Sequence, residues 1–77
     1  PDPEAGFERA ELNLTAAIEI APDHILANYE LAKTYEEWGK PDQAVPFWKK
    51  VQELGGGKPE HAVITAEASL ALDRITR

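Results

Sequence analysis

Apolar residues recur at intervals of three and four along most of this chain, and each run stops at a cluster of proline or glycine. Phe7, Ala10, Leu14, Ala17 and Ala21 step this way in the first segment. Ala27, Leu31, Tyr35 and Trp38 do so in the second, beside an adjoining stripe of Ile25, Tyr29 and Ala32. The third carries Ala44, Phe47, Trp48, Val51 and Leu54, and the fourth Ile64, Ala68, Ala71, Leu72 and Ile75. Such steps put the residues on one face of an α-helix, and no segment shows the sustained alternation of a half-buried strand. The breaks fall at Pro1 to Gly6, Pro22-Asp23, Gly39-Lys40-Pro41 and Gly55-Gly56-Gly57-Lys58-Pro59. The pattern predicts an all-α chain of four helices, of which the second has packing neighbours on two sides.

Capping chemistry sharpens the boundaries. Asp23 is placed to accept from the free N–H groups that open the second helix, Gly39 suits a left-handed exit, and Pro41 fits a first helical position. Pro46 deletes one backbone hydrogen bond and crowds the carbonyl four residues back, which predicts a late start or a slight bend in the third helix.

The chain overlays on itself. At a shift of 34 residues Ala10 falls on Ala44, Leu14 on Trp48, Ala17 on Val51, Glu19 on Glu53 and Ile20 on Leu54. At a shift of 37, Pro22-Asp23-His24 falls on Pro59-Glu60-His61, with Glu30 on Glu67, Leu31 on Ala68, Ala32 on Ser69, Tyr35 on Leu72 and Trp38 on Ile75. The third helix copies the first, and the fourth is a weaker copy of the second. Leu31-Ala32 with Tyr35, the Gly39 turn, Ala44 with Trp48, and Ala10, Leu14, Ala17 and Pro22 before them together resemble the tetratricopeptide repeat (TPR) pattern. Asn28 and Val51 depart from it, as does the absence of a proline directly after the third helix.

The resemblance implies antiparallel helix pairs stacked as a right-handed superhelical solenoid over residues 1–77. Residues 5–22 would be the second helix of a partial repeat, 23–56 a full repeat, and 59–77 a capping-like last helix. On this reading the chain is expected to be a cut through a longer solenoid. Small residues at Ala32 and Ala44 would let the second and third helices approach closely, with Leu31, Tyr35 and Trp48 filling the space between successive pairs.

Composition then narrows the function. With 77 residues the chain has room for only a modest core, and without cysteine it has no disulfide, thiolate metal site or thiol nucleophile. A net charge of -6 argues against the nucleic-acid backbone as partner. No run approaches the ~20 apolar residues of a membrane span. The acidity is local: residues 1–38 hold nine acidic and two basic side chains, residues 39–77 five and six. That favours a partner with basic character at the first two helices, or a neighbour arranged head to tail.

Catalytic chemistry finds no footing. Ser69, the single serine, faces neither histidine and reads as a small packing residue equivalent to Ala32. His24 and His61 read as helix-opening residues a repeat apart, with no third metal ligand one turn away. Glu36 and Glu37 diverge on a helix. Gly55-Gly56-Gly57-Lys58 lacks the phosphate-loop pattern and reads as a flexible connection. Trp38, Trp48, Tyr35 and Phe47 read as core, and Lys40, Lys49, Lys50 and Lys58 as a solvated basic edge.

The expectation is therefore a chain without catalytic residues, metal or cofactor that binds a protein or peptide. The resemblance implies a concave groove lined by the second and fourth helices. Its expected residues are Asn28 as a backbone clamp, Tyr29, Lys33 and Glu36, then Ala66, Leu70 and Asp73. The alternative is assembly, in which Phe7, Leu12 and Ile18 leave an apolar edge for further repeats or a second copy.

Overall fold

A computed structural model describes residues 2–77 and shows four α-helices packed together, with no strand among the described residues. They are α1 (Pro3–Ile20), α2 (Ile25–Glu37), α3 (Pro41–Gly55) and α4 (Ala62–Ile75), the last preceded by a short 3-10 turn, Pro59–His61. The expected opening break at Pro1 to Gly6 does not hold, although Pro1 lies outside the described residues. Asp2 accepts from the Glu4 N–H at 3.0 Å and Pro3 supplies the first helical residue, so the helix begins at once and runs through Gly6.

The cap of α2 also differs from expectation. His24, not Asp23, occupies the N-cap, and its Nδ1 accepts from the Ala27 N–H at 3.1 Å. Asp23 sits one residue too early, in the turn, where its carboxylate lies 3.8 Å from Lys50. At the other end of α2, Gly39 has φ of 79°. The Lys40 N–H bonds the Tyr35 carbonyl at 2.8 Å and the Gly39 N–H that of Glu36 at 3.1 Å, a complete Schellman closure that only a left-handed residue permits.

Pro46 does not delay α3, which starts at Pro41 and continues through it. Pro46 and Asp42 are both exposed, so water can reach the carbonyl that loses its partner. Gly55, expected in a loop, is the buried last residue of α3. A Cβ there would stand 2.9 Å from Ile25 Cδ1 and from Thr65 Cγ2.

The helices pack in chain order, each antiparallel to the one before. Phe7 near the start of α1 stacks on Trp38 just past the end of α2, and Glu11 a turn later meets Tyr35 a turn earlier. α2 and α4, in contrast, run parallel. Tyr29 to Glu67 and Arg74 to Glu36 are hydrogen bonds with the same residue separation of 38, as two helices side by side in one direction require.

The core comprises Leu31, Ala32, Tyr35, Ala44, Trp48, Val51, Ala68 and Ala71. Ala32 and Ala44 are wholly buried, as close approach of α2 and α3 demands. Trp38 and Phe47 are half-buried against this core. Ser69 is not the buried equivalent of Ala32: it is exposed, and its hydroxyl accepts from Gln52 Nε2 at 3.0 Å. A hydroxyl at that seam is best satisfied at the rim.

Ala44→Leu forces extra volume between α2 and α3 and should lower unfolding free energy by about 2 kcal/mol in urea titration. Ala16→Leu on the exposed side of α1 should change it by less than about 0.5 kcal/mol.

Candidate functional site

The positions 29, 33 and 36 fall one and two turns apart, so α2 presents Tyr29, Lys33 and Glu36 along one side, and α4 lies beside them. The structure brings Tyr29, Lys33 and Glu36 together, but two of the three are already engaged. The Tyr29 hydroxyl donates to Glu67 Oε2 at 2.6 Å, while its ring stands edge-on to Trp48 at 5.7 Å. The Glu36 carboxylate accepts from Trp48 Nε1 at 2.7 Å and from Arg74. These are two rungs between parallel helices, and they fix the spacing of the face. Lys33 is exposed, with its Nζ 5.1 Å from the centre of the Tyr29 ring.

Asn28 is not a groove residue. It is 2% exposed, and its Nδ2 donates to the carbonyls of Pro22 at 3.2 Å and His24 at 2.9 Å. The clamp acts on the chain itself, tying the α1–α2 turn to the first turn of α2. On α4, Ala66 and Leu70 are exposed, Leu70 at 68%, and Asp73 is exposed and paired with Arg77 at 2.8 Å.

Two concavities open beside these residues. The larger, of about 500 Å³, lies between the first turns of α2 and α4 and is lined by His24, Ile25, Leu26, Glu60, His61, Val63 and Ile64. The smaller, of about 220 Å³, runs along α2 past Tyr29, Glu30, Lys33, Thr34 and Glu37. The larger one unites His24 and His61, which the sequence alone places a repeat apart. The overlay of Pro22-Asp23-His24 on Pro59-Glu60-His61 held the signal, because equivalent starts of parallel neighbours lie at the same end. Among the described residues no group of three or more His, Asp or Glu side chains is placed to hold a metal ion.

Charge is asymmetric on this face. Glu30 and Glu37 form no ion pair among the described residues, whereas Glu36 has Arg74 and Lys50 bridges Asp23 and Glu53. The two phenols are shifted upward. Tyr29 is raised by its hydrogen bond to Glu67, and Tyr35 is pushed up to about 12 by burial and by the Glu11 carboxylate it donates to at 2.6 Å. Among the described residues no helix is long and apolar enough to cross a membrane. Comparison with protein-family models, with curated proteins and with solved structures finds no match to this chain.

Because Tyr35 ionises near 10 when unfolded and about 12 when folded, its contribution is complete below pH 10 and fades as pH climbs through the folded value. Alkaline titration of phenolate absorbance should show the Tyr35 ionisation delayed until unfolding begins. Tyr35→Phe should remove that delayed component and lower stability at neutral pH by about 1 kcal/mol.

Proposed function

We propose that this chain is a tetratricopeptide-type segment that holds a peptide or partner helix on the open face of α2 and α4, and that it performs no catalysis itself. On this reading α1 is the second helix of a partial repeat, α2 with α3 a full repeat and α4 a capping-like last helix, wound into a right-handed superhelix. The observation that carries it is the parallel pair α2 and α4, braced by two side-chain rungs of equal separation and presenting unspent groups to solvent. A braced face loses little conformational freedom on binding, which favours recognition by a few side chains. Lys33 and Leu70 are the groups this face can offer without dismantling itself. Lys33→Ala combined with Leu70→Ala should weaken a partner isolated on the wild-type chain at least about tenfold. Helicity and melting should be unchanged, since both side chains are exposed. Equal affinity in the double variant would sink the reading.

A second reading, assembly, draws on α1. Of the three residues expected to form its apolar edge, Phe7 stacks on Trp38 and Ile18 packs against the core, but Leu12 remains 72% exposed and is joined by Ile20 at 85%. Sedimentation should then show association that rises with concentration and is abolished by Leu12→Gln with Ile20→Gln. A monomer at every concentration removes this reading.

A further inference from the structure

We propose that the cleft between the first turns of α2 and α4 receives an aliphatic side chain of an extended peptide. From there the peptide runs along α2, so that a basic residue about three positions away meets Glu30 and Glu37. This rests on the peptide-binding reading and adds the class of peptide.

The cleft has the character of an anchor pocket. Its walls are Ile25, Leu26, Val63 and Ile64, and Leu26 and Val63 leave 51% and 74% of their surface in water. A volume of about 500 Å³ is ample for an aliphatic side chain with its flanking backbone. Gly55 makes the cleft possible: its missing Cβ lets the end of α3 sit against Ile25 and His61 beneath it.

The polar groups select the rest. His24 Nδ1 is committed as an acceptor to the Ala27 N–H, so the neutral ring carries its proton on Nε2. The imidazole therefore offers the cleft a donor and no acceptor, the complement of a peptide carbonyl. Glu60 on the same rim opposes a carboxylate there by like charge. The anchor is thus an internal residue of a peptide rather than its C-terminus.

Charge and length fix the second contact. Leu26, in the first concavity, and Lys33, in the middle of the second, are seven residues apart on α2, about 10 Å at 1.5 Å per residue. An extended chain covers that distance in about three residues at 3.3 Å each. Lys33 lies against the Tyr29 ring, and the unpaired carboxylates of Glu30 and Glu37 flank the same hollow. With the Lys33 ammonium counted, the hollow still holds two carboxylates against one cation, in a half of the chain that carries a net charge of -7, so the matching group is a cation.

The test is an NMR titration of the isotope-labelled full chain with the blocked peptide Gly-Leu-Gly-Gly-Lys-Gly. Amide shifts should concentrate at Leu26, Val63, Glu30 and Glu37. Replacing the peptide leucine by asparagine should weaken binding about tenfold. Replacing its lysine by glutamate should weaken it about threefold at low salt, a difference that high salt erases. On the protein, Val63→Gln should reduce affinity about fivefold while leaving the fold intact, because Val63 is exposed. His24→Asp keeps an acceptor for the Ala27 N–H but removes the donor, so stability should hold while affinity falls. Equal affinity for the leucine and asparagine peptides, or no response to either, overturns the proposal. Shifts confined to Lys33 and Leu70 overturn it too, but leave the broader peptide-binding reading standing.

Discussion

Three of the four helices converge on the indole of Trp48. With 2% of its surface exposed, it must find an acceptor for its N–H inside the protein, and Glu36 of α2 supplies one. A carboxylate brought to that position needs a counter-charge, and Arg74 of α4 provides it. The ring meanwhile offers its surface to Tyr29, whose hydroxyl reaches Glu67. Burial of one side chain on α3 thus sets how α2 and α4 stand beside each other, and with them the whole open face.

α1 is tied on by different means. None of its residues is fully buried, and it is held by the stack of Phe7 on Trp38, the Glu11 to Tyr35 hydrogen bond and the packing of half-buried Leu14 and Ile18 against the core. At this seam Trp38 Nε1 is buried with no partner, while the ring stacks with Phe7 and Tyr35 and has Lys40 3.5 Å above its centre. An orphaned donor of this kind carries a penalty of about 1–3 kcal/mol, which the stacking has to offset. The α1–α2 seam is therefore the weaker half of the molecule and the first to open by local unfolding.

The four helices and their core faces were legible in the sequence because periodicity and proline or glycine breaks act locally. Ala32, Ala44 and Trp48 could be assigned to close packing from residue size alone. What local rules missed was the use of polar groups across helices. Asn28 looked like a free amide because the turn carbonyls it binds are set by tertiary folding. His24 took the cap from Asp23 because an imidazole nitrogen reaches the third amide as well as a carboxylate does, and the turn spends Asp23 elsewhere. Glu67 and Arg74 were overlooked because each has meaning only against a residue 38 positions earlier.

That pairing limits how α4 can move. One turn to either side of Glu67 stand Val63, Ile64, Leu70 and Ala71, none of which can accept from the Tyr29 hydroxyl. A slide of α4 along α2 by a turn in either direction therefore finds no second resting place for that rung. The close approach of Gly55, the buried last residue of α3, to Thr65 of α4 opposes the same slide, so alignment is held by tight packing together with side-chain contacts. The two helices behave as a latch with one closed position, and the face they share responds to stress by opening outright instead of shifting by degrees.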